Sequence, residues 1–311
     1  MFDIKLNSQL FFVKFPIIFP LIYGIILFQF PNFETELIII TILILGETHF
    51  GATWPFFLDK INYPFIKKKK IELILLPLFI ALLSIIGFIF TRNLFLLIFF
   101  ITNMYHVTRQ SFGVCKLYCK NPLELQFQKT IIYLINLIFF FIAFFRFYLP
   151  IIKSEHLLII NILILFFFFL ISTYYFFKFK FSEKYLTLIT GCIIFYPACF
   201  VANPIHIILM GVTMHYTQYL YLTNHIQRFR SKKTSSHLRK NFFSYNFLLI
   251  IIVYSCFMTL FSSMGKFDSS WLKDLIFIPI LGQMLHFYLD SQLWKFNIKH
   301  NRDNVLKYLK F

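Results

Sequence analysis

Four histidines lie within strongly apolar stretches of this chain, namely His49, His106, His215 and His286. Polar groups inside membrane helices are costly, about 2.5–3.5 kcal/mol for an arginine on insertion scales, so they usually face partners or a cavity. Neutral imidazole suits iron, zinc, copper or nickel. A set of histidines with no thiolate favours a redox metal over structural zinc, whose sites mostly use cysteine. The pattern therefore indicates a buried metal site.

Each of these histidines also has polar neighbours at helical spacing. Residues three, four or seven positions apart share one face of a helix. A metal-bound imidazole needs a partner for its second N–H, typically a carboxylate, an amide or a carbonyl. We expect Gln110, Gln218 and Asp290 to orient the ligands. The full set of neighbours is Thr53 for His49, Asn103 and Gln110 for His106, Gln218 for His215, and Gln283 and Asp290 for His286.

Two further ionisable residues accompany the histidines. Glu47 precedes His49 by two residues, and we expect it to act either as an acid beside the ligands or as an additional ligand. Arg109 lies off the ligand face of its helix, and we expect it to pair with Glu47 or to hold an anionic group. Both belong to the predicted catalytic set.

Composition predicts the elements that must position these side chains. The chain is 59% hydrophobic and only 14% charged, which exceeds the apolar content of a soluble domain, about 45–50%. Several apolar runs pass the length of about 18 residues that a spanning helix needs. The sequence therefore predicts an all-α, polytopic membrane bundle forming a single domain over residues 1–311. Ten spans are predicted: 9–30, 35–58, 71–91, 93–118, 128–148, 156–177, 184–201, 204–227, 242–263 and 271–295.

Positive charge predicts the orientation of the spans. The net charge is +17, but the basic residues lie in short connections between apolar runs, which argues against a nucleic-acid partner. They concentrate in the even-numbered connections, such as 59–70 and 228–241, and in the tail after Lys295. By the positive-inside rule both termini are cytoplasmic in a multi-pass protein of the inner (cytoplasmic) cell membrane.

The four histidines are predicted to share one depth in the membrane. Each lies on an even-numbered span, roughly 9 to 13 residues before a basic residue at the cytoplasmic end, a spread of about 6 Å of helix rise. We therefore expect the four imidazoles to converge. The alternative is a hydrogen-bonded polar core, which would use asparagine, glutamine and serine as readily.

The order of these motifs resembles the bacterial and archaeal membrane β-carotene dioxygenases, the Brp/Blh family. That family is similar in carrying an early His-Gly-x-x-Asp stretch, a His-Phe-Gly stretch about fifty residues later, a late His-x-x-x-His pair and a C-terminal His-x-x-x-Asp stretch. Here the matching positions are His49, His106, His215, and His286 with Asp290. The resemblance implies a non-haem Fe(II) centre held by histidines, and O2-dependent cleavage of a carotenoid that enters from the bilayer.

The chain departs from the family pattern at three of the four stretches. His49 is followed by Phe-Gly-Ala-Thr, so the family's aspartate is missing unless Asp59 or Glu47 substitutes for it. His106 is followed by Val-Thr-Arg-Gln, and Tyr219 stands four residues after His215 in place of a histidine.

Three other functional classes compete with an iron oxygenase acting on a long apolar lipid. Di-iron desaturases and hydroxylases use clustered histidine boxes, which this chain lacks. A transporter or proton-coupled carrier would use the histidines and Arg109 as a relay, but it would favour broken helices and inverted repeats. Ligation of haem by two histidines is also compatible with the pattern.

Overall fold

The computed structural model describes residues 8–180, 182–233, 246–264 and 272–309, and every regular element in those ranges is a helix. The all-α prediction is therefore confirmed for the described chain. The α-helices are α1 Ile18–Gln29, α2 Glu34–Thr41, α3 Glu47–Leu58, α4 Tyr63–Lys68, α5 Leu76–Phe90, α6 Arg92–Tyr118, α7 Pro122–Phe147, α8 Ser154–Phe179, α9 Glu183–Ile193, α10 Pro204–Lys233, α11 Phe247–Met264, α12 Phe277–Leu293 and α13 Lys299–Asn304.

Shorter helical segments of other types extend several of these helices. π-Helical turns occupy Leu10–Lys14, Ile42–Gly46 and Ile71–Leu75, and 3-10 turns occupy Pro31–Phe33, Lys60–Asn62, Tyr196–Cys199, Leu272–Ile276 and Leu306–Tyr308. The turn Ile42–Gly46 leads directly into α3, the helix that carries His49. Single π-turns often occur beside functional sites because they rotate the residues that follow them.

Within the residues that the structure describes, six helices are long and apolar enough to cross a membrane. The most apolar stretch of Glu155–Lys178 buries none of its residues inside the protein, as expected of a surface that faces lipid. By length and composition the six are Pro31–Leu58, Ile71–Phe90, Pro122–Phe147, Glu155–Lys178, Phe247–Met264 and Leu272–Leu293.

Four of the ten predicted spans are not among these six helices, because two are divided and two are less apolar. The run 9–30 is divided between the π-turn Leu10–Lys14 and α1, and the run 184–201 is divided between α9 and a 3-10 turn. The helices α6 and α10 are long, but the polar residues around their histidines lower their mean hydropathy.

Several predicted boundaries differ from the structure or lie beyond it. The predicted connection 228–241 begins inside α10, which continues to Lys233, and residues 234–241 lie outside the described residues. The start of the predicted span 242–263 and residue 271 of the last span are also outside them.

The chain divides into two compact units. The first comprises Met1–Ile38 and Val107–Gln218, and the second comprises Ile39–His106 and Tyr219–Phe311. The prediction of a single domain stays a prediction.

Buried amide groups and a close helix approach hold the first unit together. Asn136 on α7 donates a hydrogen bond to the carbonyl oxygen of Gly191 on α9 at 3.0 Å. A Cβ at Gly211 on α10 would lie 1.8 Å from the carbonyl oxygen of Ile194, so only glycine fits at that approach. Small residues at such crossings let membrane helices pack closely.

The second unit packs α3 against both α11 and α12. A Cβ at Gly51 on α3 would lie 2.7 Å from Cδ1 of Tyr254 on α11, so the missing side chain makes room for the tyrosine ring. At the C-terminal end of α3, the guanidinium of Arg230 lies 3.6 Å from a carboxylate oxygen of Asp59, and both side chains are buried. This packing fixes the helix that carries His49.

Candidate metal centre

Three of the predicted histidines meet inside the second unit. His49 on α3, His106 on α6 and His286 on α12 each offer one ligand atom, and these atoms all lie within 4.8 Å of one another. All three side chains are buried, with exposed fractions of 0%, 6% and 0% respectively. We refer to His49, His106 and His286 as the histidine group. It could hold a metal ion.

The separation of one pair of nitrogen atoms in the group fits two ligands of a shared ion. Nε2 of His286 lies 3.2 Å from Nε2 of His106. With metal–imidazole distances near 2.1 Å, two ligands of one ion are about 3.0 Å apart at a right angle and about 3.4 Å apart in a tetrahedron. The observed separation falls between these two values.

The three imidazole rings are inclined to one another and do not stack. Each pair of rings is inclined by a nearly equal angle: 65° for His49 and His286, 65° for His106 and His286, and 66° for His49 and His106. The ring of His286 is central, with centroids 4.6 Å from that of His49 and 4.9 Å from that of His106. Inclined rings let three imidazoles direct nitrogen atoms at one point without stacking on each other.

A chain of hydrogen bonds leads away from His286. Its Nδ1 lies 2.7 Å from Oγ1 of Thr53, which stands one helical turn after His49 on α3. The same Oγ1 is 2.9 Å from the hydroxyl of Tyr219. Tyr219 donates to Oδ1 of Asp290 at 2.6 Å, and the indole N–H of Trp294 donates to the same oxygen at 2.7 Å. Asp290 therefore reaches its neighbour His286 through two hydroxyl groups on other helices.

Glu47 lies beside the group without belonging to it. Its Oε1 accepts a hydrogen bond from Nε2 of Gln283 on α12 at 3.1 Å, and the side chain is buried. Among the described residues, the ligand cluster comprises only the three histidines. A role for Glu47 as an acid or an additional ligand stays a prediction.

Aromatic rings form the apolar wall of the site. The ring of Phe50 is 5.1 Å from that of His286, and the ring of Phe287 is 4.8 Å from that of His106. The ring centroids of Phe50 and Phe287 are 6.2 Å apart, and the ring of Phe99 extends this wall, with its centroid 6.0 Å from that of Phe287. The histidine group thus contacts both aromatic rings and a hydrogen-bonded chain of hydroxyl groups.

The remaining predicted residues belong to the first unit. His215 is buried there, and its role as a fourth ligand stays a prediction. Gln218 donates through Nε2 to the carbonyl oxygen of Val13 at 2.7 Å. Arg109 and Gln110 follow His106 on α6 and are half-buried. The roles predicted for these three residues are likewise still predictions.

Comparisons of the chain with protein-family models, with curated proteins and with solved structures give no match. Function must therefore be argued from the site itself.

Sequence reasoning missed two residues of the site, Tyr219 and Trp294. The sequence marks Tyr219 only as the residue that stands where the resembling family has a histidine. Trp294 follows Asp290 by four residues, a spacing that places both on one helical face. The available sequence signal was the indole N–H of Trp294, a polar group on a large ring one helical turn from Asp290.

Proposed function

We propose that this protein is a membrane-embedded, Fe(II)-dependent oxygenase whose iron is held by His49, His106 and His286. The observation that carries the proposal is the buried convergence of three imidazoles within a unit whose helices include apolar candidate spans. Ionisable side chains within membrane spans are rare and mark functional sites by default. A site made of imidazole alone suits a transition metal.

Iron accounts for the chemistry of the site better than zinc. Structural zinc sites rely on thiolates, and the histidine group contains none. Iron supplies activation of O2, which is itself apolar and dissolves readily in a bilayer. The chain's own side chains bind and orient the ion, and the Phe50 and Phe287 rings limit the access of water.

The proposed substrate is a long apolar lipid that enters from the bilayer, with carotenoid cleavage as the specific reaction. An apolar wall next to the metal ligands favours a hydrocarbon over a polar substrate, because binding sites are lined according to the ligand they bury. The order of the four histidine stretches along the chain supports a polyene as the first substrate to test.

The proposed topology has ten spans and two cytoplasmic termini in the inner membrane. It adds the runs 9–30, 93–118, 184–201 and 204–227 to the six apolar helices. The distribution of lysine and arginine supports it. We expect reporter fusions to place Lys67–Lys70 on the same side of the membrane as both termini. Fusions that place Lys67–Lys70 on the opposite side would overturn the proposed topology.

The function is tested in bacterial cells that accumulate a carotenoid. We expect the wild type to bleach the pigment only when O2 is present, and to consume O2 after purification with Fe(II). His106→Ala and His286→Ala should do neither, whereas the control His206→Ala should do both. Purified wild type that takes up Fe(II) but consumes no O2 with any membrane lipid would contradict the oxygenase. Proton movement by metal-free wild type would favour a carrier instead.

A further inference from the structure

We infer that Thr53, Tyr219 and Asp290 form a relay that fixes which ring nitrogen of His286 faces the metal. The inference rests on the proposed metal centre and adds positioning residues to it. The relay residues lie on three different helices, α3, α10 and α12, and all belong to the second unit. Thr53 and Asp290 are 0% and 1% exposed, so bulk water does not compete for these hydrogen bonds.

The direction of the relay follows from counting hydrogen atoms, beginning at its far end. The indole N–H of Trp294 can only donate, so Oδ1 of Asp290 accepts there. Tyr219 has a single hydroxyl hydrogen and donates it to the same Oδ1 at 2.6 Å. The hydroxyl oxygen of Tyr219 is therefore an acceptor towards Thr53.

The same count continues to the histidine. Thr53 also has one hydroxyl hydrogen, and Tyr219, at 2.9 Å, must receive it. Oγ1 of Thr53 is then an acceptor towards Nδ1 of His286, at 2.7 Å. Nδ1 consequently carries the hydrogen, and Nε2 carries the lone pair.

This tautomer is the one that the metal centre needs. Nε2 of His286 is the atom that lies 3.2 Å from Nε2 of His106. In a neutral imidazole the nitrogen without hydrogen is the ligand, and the hydrogen bond made by the other nitrogen decides which one that is. Asp290 is thus a positioning residue for His286 although the two side chains are joined only through Thr53 and Tyr219.

Two measurements on the full-length protein in lipid test the relay. The first is the tautomer of His286 in metal-free protein, read from imidazole nitrogen NMR of the 15N-histidine-labelled chain and assigned by difference from His286→Gln. The second is the affinity for Zn²⁺, a redox-inert probe, measured by competition with a chromophoric chelator. The variants are Thr53→Val, Tyr219→Phe and their combination. The matched control is Tyr288→Phe, which removes a tyrosine hydroxyl that donates to the carbonyl oxygen of Glu72 at 2.7 Å, outside the relay.

We expect hydrogen on Nδ1 of His286 in the wild type and a mixture of tautomers in both single variants. Zn²⁺ binding should weaken about 10–100-fold in each, the usual effect of losing a partner of a ligating histidine. The double variant should be no weaker than the weaker single variant, because both changes break one chain. Tyr288→Phe should match the wild type in both readouts.

The outcomes separate the relay from the metal centre. Wild type with hydrogen on Nε2 of His286, or variants that match the wild type in both readouts, would overturn the relay. Wild type that has the expected tautomer but binds no metal would retain the relay and overturn the proposed function.

Discussion

Two buried histidines of this protein, His206 in the first unit and His286 in the second, show opposite uses of the same side chain. His206 lies 2.6 Å from the Tyr23 hydroxyl through Nδ1 and 2.7 Å from Oε1 of Glu34 through Nε2. Because a carboxylate only accepts, Nε2 of the neutral ring donates to Glu34, and Nδ1 accepts from Tyr23. Nδ1 of His286 also bonds to a hydroxyl, but the hydrogen-bond partner of its Nε2 is a second imidazole, Nε2 of His106 at 3.2 Å. Both side chains are almost fully buried.

The difference teaches what separates a structural histidine from a candidate ligand. Buried polar groups are normally hydrogen-bonded, and His206 meets this rule with a tyrosine and a carboxylate. At His286 one nitrogen is held by a hydroxyl chain, and the other is directed at side chains that are themselves metal ligands by type. Burial alone does not distinguish the two, whereas the partners of each ring nitrogen do.

The largest expected effect separates the two histidines by metal content. His286→Ala removes one of three ligands and should lower the bound metal at least tenfold, because few ligands remain to hold the ion. His206→Ala should retain the metal of the wild type. Elemental analysis of both variants, purified without chelator, makes the measurement, and equal metal loss in the two would remove the distinction.

Removal of the metal should destabilise only proteins that have an intact histidine group. A ligand that binds the folded state alone stabilises it by about 2.7 kcal/mol at a concentration 100 times its Kd. A strong chelator should therefore lower the melting temperature of the wild type and leave that of His286→Ala unchanged. A chelator-induced shift of equal size in His286→Ala would point to metal bound elsewhere.

Loss of the Tyr23 hydroxyl should weaken the first unit and leave the metal in place. Tyr23→Phe deprives Nδ1 of His206 of its donor, and a buried group that loses its partner costs about 1–3 kcal/mol. Thermal unfolding in detergent should show the lower stability, and metal content should equal that of the wild type. Metal loss in Tyr23→Phe would mean that the two histidine environments are not independent.

The smallest expected effect concerns His300, which lies after the last predicted span. Its ring stacks on Phe65 at 4.4 Å, and its Nε2 bonds to Oδ1 of Asn62 at 2.8 Å. Partial burial lowers the pKa of His300 below its ordinary 6.5, the positive charge of Arg230 lowers it further, and Asp303 opposes both. The folded state therefore binds this proton less readily than the unfolded state does. The resulting stability is present above pH 6.5 and is lost as the pH falls through the lowered pKa of His300.

His300→Gln measures that effect. The wild type should lose more thermal stability between about pH 7.5 and about pH 5.5 than His300→Gln, which has no titrating ring. The expected difference is small because the ring is only partly buried. An identical pH dependence in the two proteins would show that His300 does not titrate on unfolding.

Apolar run length and helical spacing predicted the helical class and a meeting of four histidines, of which His49, His106 and His286 come together in the structure. These are one-dimensional quantities, since depth is counted along a helix and the side-chain face follows from 3.6 residues per turn. Run length and helical spacing do not determine which helices become neighbours. Gln218 illustrates this, because its amide donates to the carbonyl oxygen of Val13, a residue far away in sequence, while its predicted role in orienting a ligand stays a prediction.

The partners of His286 illustrate the same limit. Asp290 is one turn from His286, and the spacing predicted that its carboxylate would orient the imidazole. The carboxylate accepts from Tyr219 and Trp294, and Thr53 of another helix contacts Nδ1 of His286. Helical spacing identified a relevant residue, but the route by which it acts depends on the lateral packing of α3 and α10.

The most direct test of the metal centre is the metal bound to wild-type protein freshly extracted from membranes. We expect about one transition-metal ion per chain, with X-ray absorption showing imidazole nitrogens at about 2.1 Å and no sulfur ligand. Wild-type protein with no stoichiometric transition metal, or with a metal bound by sulfur, would contradict it.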